Sequence, residues 1–108
     1  MYQVYILLSE KDRKLYIGFT EDISRRLDEH NGGKVESTRH RSPFQLIYCE
    51  SYLNKKDALG REKFLKSGSG HRYLKKQLKN FFLDIDRGVE QSGSSSGSSW
   101  AAGLETNQ

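Results

Sequence analysis

Residues 2–19 limit what this chain can fold into more than any other stretch. Two short runs rich in β-branched and aromatic side chains, Tyr2–Leu8 and Leu15–Phe19, are separated by the polar segment Ser9–Lys14. Such runs form strands, and so short a polar link returns the second beside the first as an antiparallel hairpin. Successive side chains of a strand alternate faces. Val4, Ile6 and Leu8 therefore share one face of the first strand, and Leu15, Ile17 and Phe19 one face of the second. If both aliphatic sets cover one core, Tyr5 and Tyr16 stand together on the opposite face, with Gly18 leaving an open spot beside Tyr16. A tyrosine pair across a hairpin also stabilises it by packing alone. The hairpin thus marks a place for chemistry without requiring any.

Two strands need cover to be stable, and the rest of the chain supplies it. Asp22–Asn31 reads as a helix with Thr20 or Asp22 as N-cap and Gly32-Gly33 as its stop. Lys34–Pro43 is a polar, basic loop, and Phe44–Tyr52 is a third strand. Asn54–Lys66 is a second helix, capped by Asn54 and stopped near Gly68. His71–Asp84 is a third, whose Leu74, Leu78, Phe81, Phe82 and Ile85, with Tyr73 beside them, make one stripe at helical spacing. The expected fold is a small α+β domain over residues 1–87. Residues 88–108, GVEQSGSSSGSSWAAGLETNQ, are Gly/Ser-rich and without periodicity, so a disordered tail is expected there.

A single Cys excludes an intramolecular disulfide and points to a reducing cytoplasm. No stretch approaches the ~20 apolar residues of a membrane span, and Val4–Leu8 is too short for a signal peptide. The expectation is a soluble cytoplasmic protein with no membrane partner. Charge is unevenly placed. All 18 Lys and Arg precede Gly88, against 12 of the 14 acidic residues, so the domain carries +6 and the tail −2 from Glu90 and Glu105. A compact basic domain suits a polyanion, nucleic acid above all, although Lys and Arg also serve simply to solubilise a small surface. Lys34, Arg39, His40 and Arg41 crowd the long loop. Lys63, Lys66, Arg72, Lys75, Lys76 and Lys79 border the last two helices. Phosphate contacts from such residues give affinity without sequence information.

The helices add two clues. At 100° per residue, Ile23, Arg26, Leu27 and His30 fall within roughly a 100° arc. Arg26 is poised toward the sheet and Arg25 toward water. His30 has two readings, a packed or capping histidine near a helix C-terminus and a site residue. In the second helix Ala58, Leu59 and Leu65 mark the inward face, with Glu62 in the same arc. An inward carboxylate needs a partner. Arg26 could supply it as an ion pair, or Glu62 could hold a divalent cation, which favours oxygen ligands.

Taken in order, these segments resemble the GIY-YIG nucleases. The likeness is carried by Val4-Tyr5-Ile6, by Tyr16-Ile17-Gly18 ten residues later, by Asp22 through His30, and by Ala58 through Lys66 around Glu62; it covers about residues 1–83. The first motif reads Gln3-Val4-Tyr5, without its Gly. The chain is most similar to the small stand-alone bacterial members, which resemble the nuclease domain of the excision-repair nuclease; Lys66–Gly70 and Leu74–Asn80 fit that subgroup. The resemblance implies a central three-stranded antiparallel sheet flanked by helices. It implies an endonuclease that hydrolyses phosphodiester bonds in DNA with one Mg²⁺ or Mn²⁺ ion, structure-directed in repair or recombination. Carried over by position, Tyr5 and Tyr16 would lie at the attacking water, with Tyr5 the better general base, aided by His30. Arg26 would hold the scissile phosphate, and Glu62 would ligate the metal. The competing readings are an RNA-directed nuclease and a nucleic-acid-binding module without hydrolysis, in which the tyrosines are structural and Glu62 pairs with Arg26.

Overall fold

The computed structural model describes residues 1–86, so Arg87 and the segment expected to be a tail, 88–108, lie outside the described residues. Strands β1 (Tyr2–Ser9), β2 (Leu15–Thr20) and β3 (Phe44–Tyr52) form one antiparallel sheet in the order β2-β1-β3. Helix α1 (Ile23–Asn31) follows the hairpin, and helices α2 (Lys55–Leu65), α3 (Gly68–Gln77) and α4 (Lys79–Asp86) close the chain. The expected three-stranded α+β fold is the one observed. Among the described residues, no helix is long and apolar enough to cross a membrane.

The central strand β1 is buried on both faces. Val4, Ile6 and Leu8 join Leu15, Ile17, Ala58, Leu65, Leu74, Phe82 and Ile85 in the larger core. Tyr5, Leu7 and Phe44 form a second cluster with Tyr16, Ile23, Leu27 and Leu46 against them. Helix α1 covers that second face. The hairpin register sets Tyr5 opposite Gly18 and Leu7 opposite Tyr16. The register between β1 and β3 shifts between Ile6 and Leu7. One extra residue in a strand reverses its alternation. Phe44 and Leu46 therefore join the α1 side, whereas Ile47 and Tyr48 pack on the larger core.

Local chemistry explains the helix ends. The side chains of Asp22, Asn54 and Ser67 accept backbone N–H groups of the first turns of α1, α2 and α3, each cap contributing about 1 kcal/mol. Gly32 caps α1, and Gly33 takes φ +76°, a left-handed conformation that favours glycine.

Two expectations are corrected. The stretch 71–84 is not one helix. Helix α3 begins at Gly68, and the chain leaves helical angles at Leu78 (φ −107°, ψ 29°) before α4. The glycines of Ser67–Gly70 suggest a stop, but Gly70 is bare because α3 lies against the end of α2. A Cβ there would collide with the Phe64 carbonyl and the Leu65 backbone. Nothing in the local sequence explains the break at Leu78. The inward face of α2 is also rotated from expectation, for Leu59 is 40% exposed. Ala58 and Leu65 define that face, with Arg61 and Glu62 on its two flanks.

Two glycine substitutions should move stability in opposite directions. Nothing lies within 4 Å of a methyl added at Gly60, so Gly60→Ala should stabilise α2 by about 1 kcal/mol. Gly70→Ala should destabilise by roughly 1–3 kcal/mol, the usual effect of forcing a methyl into a filled site. Urea unfolding of the two variants beside the parent protein measures both.

Candidate active site

Three elements meet over the second face of the sheet: β1 with Tyr5, α1 with Arg26 and His30, and the loop before β3 with Thr38. Helix α1 is pinned at each end. The Ile23 N–H donates to Gln3 Oε1 at 3.1 Å, satisfying one of the N–H groups that a helix start leaves unpaired. Gln3 thus holds the helix from the place where the motif lacks its Gly. At the other end, Asn31 takes the Phe44 N–H at 2.6 Å and donates to the Phe44 carbonyl at 3.2 Å. The loop 34–43 is stitched to the hairpin turn. Arg41 Nε meets Asp12 Oδ2 at 2.7 Å, its Nη2 donates to the Lys14 and Leu15 carbonyls, and Ser9 Oγ donates to the Arg41 carbonyl at 2.6 Å.

Tyr5 lies at the centre, 1% exposed. Its ring fills the space over Gly18, where any Cβ would overlap the phenol; the spot expected to be open is occupied. Tyr5 Oη is 3.0 Å from His30 Nε2 and 3.4 Å from Arg26 Nε, which donates to it. His30 is fully buried, and its Nδ1 is 2.8 Å from Thr38 Oγ1. The Tyr16 ring meets the His30 ring edge-on at 4.9 Å between centroids. Tyr5, Tyr16, Arg26 and His30 therefore form one constellation. His30 is far from a solvated capping histidine, and Arg25 is exposed as expected.

Burial governs the electrostatics. It pushes the Tyr5 phenol up to about 12, against the opposing hydrogen bond from Arg26. Burial, helped by the Arg26 charge, pulls His30 down to about 4. At neutral pH the phenol is protonated and the imidazole neutral.

Glu62 is near this group without touching it. Its side chain is 19% exposed and meets Lys66 at 3.1 Å, while its charge adds to the upward push on Tyr5. The alternative pairing of Glu62 with Arg26 is not formed: Arg26 bonds Glu29 at 2.9 Å. Among the described residues, no group of three or more His, Cys, Asp or Glu is placed to hold a metal. A lone carboxylate still fits Mg²⁺, which keeps several waters and takes one or two carboxylates plus substrate phosphate.

The expected phosphate contacts divide. Lys34 and Arg39 are exposed. Arg41 is instead committed to the hairpin turn and stacks over Phe44, so it acts as a strut. Lys66 is held by Glu62. Arg72, Lys75 and Lys76, with Lys79, rim a cavity of about 420 Å³ between α3 and α4, over Phe82 and Leu83. Sequence reasoning missed Thr38, which only the folded loop brings to His30. It also missed Glu50, which accepts from Tyr48 and Tyr52 at 2.6 Å each and takes Arg61 in a two-pronged pair at 2.9 and 3.0 Å.

His30 gives the fold a pH dependence of definite sign. In the unfolded chain it takes a proton near its ordinary value of 6.5, and in the fold only near 4. Between those values the unfolded state binds more protons, so stability falls as pH drops from about 6.5 to about 4, by up to about 1.4 kcal/mol per unit. Melting followed from pH 7 to pH 4.5, where the depressed carboxyls of Asp12 and Glu50 are still ionised, should show this slope. His30→Gln should flatten it.

The family model described as the GIY-YIG catalytic domain matches residues 1–78. A UPF0213 protein of Haloquadratum walsbyi is 39% identical over 85 residues, covering 77% of this chain and 93% of the relative. One from Clostridium perfringens is 42% identical over 67 residues, covering 61% of this chain and 71% of the relative. A solution NMR structure of the UPF0213 protein BH0048 from Bacillus halodurans is 31% identical and covers 85% of this chain and 100% of that chain, with a TM-score of 0.47. On the family match over residues 1–78 and the likeness to the UPF0213 proteins, this chain belongs to the GIY-YIG family of nuclease domains.

Proposed function

We propose that this protein is a divalent-metal-dependent endonuclease that hydrolyses phosphodiester bonds in DNA, structure-directed in repair or recombination. The observation that carries the reading is the Tyr5 hydroxyl held between Arg26 Nε and His30 Nε2. A protonated phenol against a neutral imidazole is the right starting state for a relayed proton transfer. Tyr5 cannot simply ionise at neutral pH, since burial holds its phenol near 12. It can take a proton from an attacking water as its own passes to His30 Nε2. The water oxygen then bonds to phosphorus, the bond from phosphorus to the leaving sugar oxygen breaks, and that oxygen takes a proton from solvent. Tyr16, packed against His30, walls the water's side of the site. Arg26 exchanges its half-exposed bond to Glu29 for the scissile phosphate and steadies the charge that develops there.

Glu62 would hold the Mg²⁺ or Mn²⁺ ion, whose contribution is Lewis-acid stabilisation of charge on the leaving oxygen. Lys34, Arg39, Arg72, Lys75 and Lys76 would contact the phosphate backbone, with Lys66 joining them once Glu62 turns to the ion. DNA is favoured over RNA by the likeness to repair nucleases.

Cleavage of labelled branched, nicked and single-stranded DNA, with RNA in parallel and with Mg²⁺ or EDTA, tests the proposal. Glu62→Gln should abolish cutting and leave DNA binding intact. Its melting point should stay within a few degrees of the parent, because an exposed i,i+4 pair contributes only about 0.3–0.5 kcal/mol. Tyr5→Phe should fold and be inactive. A Glu62→Gln protein that cuts at the parent's rate would sink the assignment.

Binding should also weaken steeply with salt, log affinity falling about 0.9 per phosphate contact against log salt on duplex. A flat dependence, or tight preference for one short sequence, would count against backbone-led recognition.

A further inference from the structure

The loop 34–43 delivers one hydroxyl into the buried site, and the hydrogen inventory gives that hydroxyl a task. Thr38 is 1% exposed. It stands at the N-cap of the short 3₁₀ turn Arg39–Arg41 yet makes no side-chain cap bond, although capping is the usual use of a threonine there. Its Oγ1 lies 2.8 Å from His30 Nδ1 and 3.5 Å from the Val35 carbonyl oxygen.

A neutral imidazole has one donor nitrogen and one acceptor. With the proton on Nδ1, every hydrogen in the chain finds an acceptor. Arg26 Nε–H donates to Tyr5 Oη, the Tyr5 hydroxyl donates to Nε2, Nδ1–H donates to Thr38 Oγ1, and the Thr38 hydroxyl reaches the Val35 carbonyl. With the proton on Nε2, Tyr5 Oη would receive two donors. Its own proton would then have no acceptor among the described residues, in a site where a buried polar hydrogen needs one.

We infer that Thr38 is a positioning residue: its hydroxyl fixes His30 with the proton on Nδ1, leaving Nε2 to accept the Tyr5 proton. For its catalytic consequence the assignment rests on the nuclease reading above; the tautomer itself does not. Thr38 touches no substrate. It acts by making His30 an acceptor on the side that faces Tyr5.

The test uses the full chain labelled with ¹⁵N, with imidazole nitrogens read by long-range ¹H–¹⁵N correlation at neutral pH without metal or DNA. The parent protein should show His30 protonated on Nδ1. Thr38→Val keeps the shape and removes the hydroxyl; it should shift His30 toward the Nε2-protonated form and lower kcat about a hundredfold, the scale of a general-base contribution, with KM for DNA within about twofold. Thr38→Ser should restore both tautomer and rate. A parent protein with its His30 proton on Nε2 overturns the inference before any variant is made, so a Thr38→Val protein that fails to fold does not shelter it. An unchanged tautomer and rate in Thr38→Val overturns it equally. A parent that cuts no nucleic acid yet shows Nδ1–H at His30 upholds the tautomer and defeats the nuclease reading instead.

Discussion

The hydroxyl of Tyr5 is a polar group on the one strand of the sheet that is buried on both faces. A buried hydroxyl left unpaired costs roughly 1–3 kcal/mol, a large part of what holds a domain of this size together. The surroundings follow from that demand. Position 18, across the hairpin, has no side chain because the phenol occupies its place. Helix α1 must lie with His30 inward, though histidine is not a usual core residue. Arg26 must turn its Nε to the phenol and leave its outer nitrogen to Glu29. The demand reaches one layer further, since a buried imidazole needs a second partner and the loop supplies Thr38.

Two kinds of force hold this arrangement. Apolar packing of Ile23 and Leu27 on the second cluster sets the height of α1 above the sheet. Directed bonds from Gln3 and Asn31 set its position along its axis. Apolar burial is non-directional and would tolerate a helix slid by an ångström or rotated by several degrees. The contacts of 2.8 to 3.0 Å through His30 would not. The side chains that carry the chemistry thus depend on polar clamps at the two ends of the helix more than on the core beneath it.

Much of this was legible in the sequence. The strands, the capped starts of α1 and α2, the shared face of Tyr5 and Tyr16, and the inward Arg26 and His30 all follow from alternation, helical spacing and cap chemistry. These are local signals, and they suffice because each segment obeys one period throughout. What was not legible depends on breaks in period or on chain-distant partners. The register shift in β3 moves Tyr48, Glu50 and Tyr52 to the face opposite the one that continued alternation from Leu46 would give, which hides the Glu50–Arg61 pair. Gly70 looks like a stop because glycine usually ends a helix; its packing role depends on where α3 lies. Leu59 looks inward because it is apolar, whereas Arg61 holds that flank by its bond to Glu50. Thr38 carries no local mark, for a threonine in a basic loop is ordinary until the loop folds back on His30.

The stitching of loop 34–43 to the hairpin turn has a consequence in time. The bonds that fix it join residues far apart in the chain, Ser9 to Arg41 across 32 positions and Asp12 to Arg41 across 29. Closures of that length follow the local hairpin and helix in the order that loop entropy favours. The hairpin can stand and α1 can be wound while Tyr5 still lacks its second-layer support. The hydrogen-bonded chain from Arg26 to Val35 is complete only when the loop is tied down and β3 lies beside β1. The molecule therefore gains its proton acceptor at the end of folding, and a chain whose loop comes loose loses that acceptor before it loses its sheet.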